Sequence, residues 1–164
     1  MLYIFAGLPG TGKTTLARHL ARTRKAMYLR IDTIEQVLRD VGLTGQGPEG
    51  YLMAYRLAED NLRLDCDVVA DSVNPLHLTR TAWRDVALRA GVRSIDIEVI
   101  CSNVDEHRAR IESRVADIPG QPLPTWAEVQ SRLYEPWTSS GHVVDTAGKS
   151  VAETLVELDH VLAQ

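Results

Sequence analysis

Near the amino terminus, Gly7-Leu8-Pro9-Gly10-Thr11-Gly12-Lys13-Thr14 sets glycines, a lysine and a hydroxyl at the spacing G-x-x-x-x-G-K-[ST]. These residue types in this order suit a chain of phosphates. Glycines let successive backbone N–H groups turn inward around phosphate oxygens with no Cβ in the way. A helix starting near Lys13 adds the positive end of its dipole to the same anion site. Lys13 then reaches the β- and γ-phosphates, and the Thr14 hydroxyl can ligate magnesium. A plain glycine turn is the alternative, but at average residue frequencies a random chain of this length matches only about once in 200. Gly7, Gly10, Thr11, Gly12, Lys13, Thr14 and Thr15 are therefore the expected nucleotide-binding residues. ATP is the expected nucleotide, since no Asn/Thr-Lys-x-Asp guanine-reading motif occurs, and Mg2+ is expected to accompany it.

Three further groups bear on what happens to the γ-phosphate. Asp32 closes a short apolar run, where the carboxyl ends of strands in an open α/β sheet meet the ligand. A carboxylate there can accept the proton of an attacking hydroxyl, or it can cap a helix together with Glu35; the spacing leaves both open. Asp71 ends the run Val68-Val69-Ala70, in the manner of a Walker B element. It either holds magnesium through water or terminates the strand in a turn with Ser72 and Asn74. Arg108, Arg110 and Arg114 precede a stretch broken by proline and glycine, and a helix would set Arg110 and Arg114 on one face. They are either lid arginines brought onto transferring phosphate or a solvated face paired with Glu106 and Glu112.

The elements that must position these groups are legible as alternating periods. Apolar runs at Leu2–Ala6, Met27–Ile31, Cys66–Ala70, Ile95–Cys101 and Val143–Val144 predict five strands. Between them, helical spacing begins at Lys13, Asp32, Tyr51 (to Leu64), Asn74-Pro75 (to Gly91) and Asn103 (through Arg114). Asp32/Glu35, Thr125/Glu128 and Ser150/Glu153 all have capping-box spacing. Gly42–Gly50, rich in glycine, predicts a loop. The pattern is α/β, a parallel sheet covered on both faces, in one domain over residues 1–164.

Composition narrows the class. The 164 residues carry 18 Lys plus Arg against 22 Asp plus Glu, a net charge of −4 that argues against a protein built to coat nucleic acid. Cys66 and Cys101 sit in apolar runs and read as small hydrophobes, not as a disulfide. His19, His77, His107, His142 and His160 lack metal-ligand spacing and are expected at the surface or in caps. Trp83, Trp126 and Trp137 are expected to pack. No apolar run approaches the roughly 20 residues of a membrane span. The amino terminus reads as a strand and not a signal peptide, so a cytoplasmic protein with no membrane association and no obligate protein partner is expected.

Taken together, the phosphate motif, Arg30-Ile31-Asp32, Asp71-Ser72-Val73-Asn74-Pro75 with Ala82-Trp83, the Arg110/Arg114 pair and Val144-Asp145-Thr146-Ala147-Gly148 resemble a known family. The chain is similar to P-loop kinases related to the polynucleotide 5′-kinase domain, and more distantly to chloramphenicol phosphotransferase and zeta toxin, within the AAA-type P-loop NTPases. The resemblance implies a three-layer α/β/α fold with five parallel strands in the order 2-3-1-4-5. It implies Asp32 as general base, Arg110 and Arg114 as lid arginines with a lid at 115–125, and Thr146 and Gly148 near the adenine. It also implies an acceptor side formed by the loop and helix at 42–64, where Tyr51 and Tyr55 either stack a ring or join the core.

The expected activity is an ATP- and Mg2+-dependent kinase. It would transfer the γ-phosphoryl group to a hydroxyl of a small molecule (nucleoside, sugar or antibiotic-like) or of a nucleic-acid end. A nucleotide-binding switch or regulatory ATPase is the alternative from another class, and a toxin phosphorylating a cell-wall sugar nucleotide is a third.

Overall fold

The computed structural model describes residues 1–43, 47–137 and 141–163. In chain order the elements are β1 (Leu2–Ala6), α1 (Lys13–Arg24), β2 (Met27–Arg30), α2 (Ile31–Asp40), α3 (Glu49–Leu62) and β3 (Val68–Asp71). They continue with α4 (His77–Arg89), β4 (Ser94–Ile100), α5 (Val104–Glu112), α6 (Trp126–Ser131), β5 (His142–Asp145) and α7 (Val151–Leu162). The five strands form one sheet in the order β2-β3-β1-β4-β5, and every pairing is parallel.

Side chains alternate across a strand, and in β1 both of the resulting faces are covered. Leu2 and Ile4 join Val68, Ala70 and Leu29 on one face, packed against Ala54, Ala58 and Leu62 of α3 and Trp83, Val86 and Ala87 of α4. Tyr3 and Phe5 join Val69, Ile97, Val99 and Val144 on the other, packed against Leu16, Ala17, Leu20 and Ala21 of α1 and Leu158 of α7. All five β1 residues are buried, which accounts for a continuous apolar run rather than an alternating one. Three layers result, and the carboxyl ends of the strands share one edge.

Among the boundaries that differ from the sequence expectation, three bear on the candidate residues. First, α2 begins at Ile31, with Arg30 as its N-cap and no side-chain cap. Asp32 therefore lies inside the first turn, and the Asp32/Glu35 capping box does not form. Second, α4 starts at His77 rather than at Asn74-Pro75. Asn74 takes a left-handed φ of 51°, and the buried Arg80 draws the carbonyls of Asn74 and Pro75 onto its Nε and Nη2, at 3.0 and 3.1 Å, which holds the chain bent. Third, α5 ends at Glu112, with Ser113 as its C-cap and Arg114 N bonded back to Ile111 O at 3.3 Å. Arg114 thus lies beyond the helix and does not share a helical face with Arg110. The boxes at Thr125/Glu128 and Ser150/Glu153 form as read.

Candidate active site

The loop between β1 and α1 needs its glycines. Gly7 adopts φ +145°, and a Cβ there would stand 2.3 Å from the Val99 carbonyl oxygen. Gly12, at φ +91°, is the N-cap of α1 and supplies no side-chain cap, so the first N–H groups of the helix stay available to an anion. The loop is braced from behind. Gly7 N donates to Val73 O at 3.2 Å, and His107 Nε2 meets Pro9 O at 2.7 Å with its ring edge-on to Trp126, centroids 5.2 Å apart. His107 is buried, which corrects the expectation of a surface or capping role. Thr11 turns its hydroxyl to Leu8 O at 2.9 Å and so lies within the loop rather than on the cleft wall.

Beneath the loop, Lys13 Nζ donates to Asp71 Oδ1 at 2.7 Å, with side-chain exposures of 8% and 0%. Tyr28 Oη donates to the other oxygen, Oδ2, at 2.6 Å. Burial works to raise the Asp71 carboxyl, but Lys13, Tyr28 and Thr14 together hold it below the ordinary carboxylate value. Burial and the neighbouring carboxylate push the Tyr28 phenol far up, so it stays a donor. Asp71 is therefore a fixed, ionised carboxylate beside Thr14. Thr14 hydroxyl and Asp71 carboxylate form an all-oxygen donor set of the kind Mg2+ takes.

A cleft of about 780 Å³ opens over the loop, and Lys13, Thr14, Thr15, Asp32 and Arg114 all line it. The structure thus brings the expected phosphate site and the expected base to one cavity. Asp32 accepts no hydrogen bond among the described residues; its nearest cation is Arg30 Nη2 at 3.8 Å. Glu35, one turn further along α2, lines the same wall, and burial, with the charge of Asp32 as the second cause, pushes its carboxyl above the ordinary value.

Arg110 and Arg114 separate. Arg110 donates through Nη1 to Thr146 Oγ1 (2.7 Å) and through Nη2 to Thr146 O (3.0 Å) and Glu106 (2.5 Å), which ties it to the loop after β5. It stands between the main cleft and a smaller hollow of about 240 Å³ lined by Gly12, Thr15, Thr146, Lys149 and Thr154. Gly148, at φ +67°, gives its N–H to Glu106 at 2.8 Å and is not on the wall of that hollow. Tyr51 and Tyr55 both pack on the core: Tyr55 is edge-on to Trp83 at 4.7 Å, and the Tyr51 hydroxyl accepts from Asn74 N.

Two contributors lack any local signal. Asp117, on the segment after α5, receives Arg30 bidentately at 2.7 and 2.9 Å and Arg18 at 2.7 Å. The Arg30 hydrogen bonds, more than the Arg18 one, hold its carboxyl far below the ordinary range. Tyr28 is the second; strand alternation turns it toward Asp71, and only the sheet register reveals that.

The strand order, the phosphate loop at the end of the central strand and the carboxylate across the cleft define a P-loop kinase-like domain. A family model described as AAA domain (AAA_33) matches residues 2–136, and the chain belongs to this family. The uncharacterized protein Rv2004c of Mycobacterium tuberculosis is 30% identical over 167 residues, covering 90% of this chain and 32% of the relative. The chain thus spans about a third of the length of that curated relative. Among solved structures, the chain is similar to Chaetomium thermophilum Kti12 in complex with ADP-AlF3 (22% identity, 99% and 98% of the two chains covered, TM-score 0.73). It is also similar to a gluconokinase from Sinorhizobium meliloti (16%, 98% and 90%, TM-score 0.68) and to the APS kinase CysC of Mycobacterium tuberculosis with AMPPNP and APS (19%, 99% and 97%, TM-score 0.66). At these identities the likeness shows the fold. No helix among the described residues is long and apolar enough to cross a membrane.

Proposed function

We propose that this chain is an ATP-dependent kinase that transfers the γ-phosphoryl group to a hydroxyl of a small molecule or of a nucleic-acid end. One observation carries the reading: Asp32 stands on the wall of the phosphate-loop cleft with no hydrogen bond to its carboxylate among the described residues. A nucleotide switch has no use for such a group. A hydroxyl-phosphorylating enzyme needs it as the acceptor of the hydroxyl proton.

In this account the N–H groups around Gly10 and Gly12 cradle the phosphates, and Lys13 leaves Asp71 to meet the β- and γ-oxygens. The acceptor oxygen forms its bond to the γ-phosphorus as the bond to ADP breaks, and its proton passes to Asp32. Arg114 faces the cleft as the arginine of the 115–125 lid. Arg110, with Thr146 and Gly148, belongs to the nucleoside side. Thr14 and Asp71 would hold Mg2+, which when bound neutralises phosphate charge. Positioning and charge stabilisation supply most of the acceleration in such a scheme.

We take residues 1–164 as one kinase domain; of the stretch 42–64 expected on the acceptor side, 44–46 lie outside the described residues and the rest is not among the residues that line the cleft. An ATP-consuming reaction of this kind belongs in the cytoplasm. The test is γ-labelled ATP with Mg2+ offered to nucleosides, sugars, antibiotic-like alcohols and 5′-hydroxyl oligonucleotides. Label on one acceptor class is the expected result. Release of free phosphate alone, whatever acceptor is present, would overturn the reading in favour of a switch or regulatory ATPase.

A further inference from the structure

The acceptor end of the cleft contains more unanswered hydrogen-bonding capacity than one phosphorylated hydroxyl can use. Asp32 and Glu35 are three residues apart on α2 and both line the cleft, so their Cβ atoms lie about 5–6 Å apart. Among the described residues neither carboxylate accepts a hydrogen bond. Leaving a half-buried carboxylate in that condition is costly, and the cost shows in Glu35, whose carboxyl is pushed upward by burial and by Asp32.

Two further unpartnered atoms belong to residues of the same cleft. Arg30 is only 4% exposed, lines the cleft, and leaves its Nε without a partner. Across the cleft, Gln121 Oε1 is likewise buried and unpartnered. The backbone of α3 then closes on Glu35: a Cβ at Gly50 would lie 2.8 Å from Glu35 Cγ. The carboxylate is thereby confined between α3 and the cleft.

Resting on the kinase reading above, we infer that Glu35 determines acceptor specificity by binding a second hydroxyl adjacent to the one phosphorylated, so that the acceptor is a small polyol of the carbohydrate type. The pairing of two carboxylates on one turn, neither accepting a hydrogen bond among the described residues, gives this class. Asp32 and Glu35 are adjacent acceptors on one turn of α2, and two neighbouring hydroxyls of one ligand answer them. The terminal nitrogens of Arg30 are already taken bidentately by Asp117 and stand outside this recognition. In the transfer step the proton of the reacting hydroxyl goes to Asp32 as its oxygen bonds to the γ-phosphorus and ADP departs. Glu35 only accepts a hydrogen bond from the neighbouring hydroxyl and takes no proton.

The experiment measures label transfer from γ-labelled ATP with Mg2+ to monosaccharides and their alditols, to the matched monodeoxy compounds, and to a 5′-hydroxyl oligonucleotide. The expected result is transfer to a polyol, with kcat/KM on the order of 10- to 100-fold lower for the analogue lacking the adjacent hydroxyl, the range of one hydrogen bond to a charged group. Glu35→Gln should erase most of that discrimination and raise KM for the polyol about tenfold, with KM for ATP within about twofold of wild type. Gly50→Ala, which crowds Glu35 while leaving its carboxylate in place, should give the same signature. Fluorescent ADP binding at wild-type affinity checks that both variants are folded. Preferential transfer to the oligonucleotide or to a simple alcohol, or undiminished discrimination in Glu35→Gln, would overturn the proposal while leaving the kinase reading intact. Transfer to no acceptor at all would overturn both.

Discussion

The buried Lys13–Asp71 pair should behave as one thermodynamic unit that the nucleotide replaces. At 2.7 Å and an effective dielectric of about 20, the gross attraction is about 6 kcal/mol, offset in large part by the desolvation of both charges. Lys13→Met leaves a fully buried carboxylate with only the Tyr28 and Thr14 hydroxyls as donors. Asp71→Asn keeps the acceptor for Tyr28 but strands a lysine ammonium with 8% side-chain exposure. Each single change should cost about 3 kcal/mol, the low end for breaking a buried pair, because Lys13 retains a sliver of contact with the cleft. The double variant holds neither charge and should cost no more than about 2 kcal/mol, a coupling of about 4 kcal/mol. Urea denaturation of the four proteins measures it, and each single variant should lower Tm by about 6–12 °C. ATP with Mg2+ at about 100 times Kd should add about 2.7 kcal/mol to the wild type and essentially nothing to Lys13→Met. A coupling below about 1 kcal/mol would make the pair an ordinary solvated contact and overturn this expectation.

Three further outcomes rest on the same geometry. Gly7→Ala should lower stability by about 2 kcal/mol or more and abolish nucleotide binding, because the new Cβ meets a backbone oxygen at 2.3 Å in a conformation alanine rarely adopts; calorimetry and fluorescent ADP titration check both. Asp117 has its carboxyl lowered in the folded protein, so its contribution is present above the unfolded value near 3.8 and is lost as pH falls through the folded value. Asp117→Asn should therefore cost stability at pH 7, by about 1 kcal/mol or less given its 37% exposed side chain, and should match wild type in acid. Glu35 has its carboxyl raised, which is a penalty above the folded value that disappears as pH falls toward 4.5. Glu35→Gln should thus melt higher than wild type at neutral pH, with the advantage gone in acid, as expected where stability has been given up for binding.

Much of the fold and site was legible in the residues, and the reasons differ from part to part. The phosphate loop is local, and its glycines declare backbone requirements that Gly7 and Gly12 meet in the structure. The strands declare themselves by continuous burial, as in β1. Capping boxes at Thr125 and Ser150 form because the chain enters each helix from a loop, with the cap residue still extended. The same spacing at Asp32 forms no box, because the helix has already begun at Ile31 directly out of β2; this is what turns Asp32 and Glu35 to the cleft. Arg114 left the helical face because α5 stops at Glu112 and Arg114 N turns onto Ile111 O. Long-range partners had no signal at all. Arg30 and Asp117 meet across 87 residues, and Tyr28 finds Asp71 only through the pairing of β2 with β3.

The proposed chemistry turns on Asp32 taking the proton of an acceptor hydroxyl beside a phosphate loop that binds ATP. The decisive experiment is label transfer from γ-labelled ATP by wild type and Asp32→Asn, with the affinity of each for fluorescent ADP measured alongside. The expected outcome is transfer to a hydroxyl acceptor by the wild type, a loss of about 10²- to 10⁴-fold in Asp32→Asn, and nucleotide affinity unchanged within about twofold. Transfer at an equal rate in the two proteins, or ATP hydrolysis without transfer in both, would contradict it.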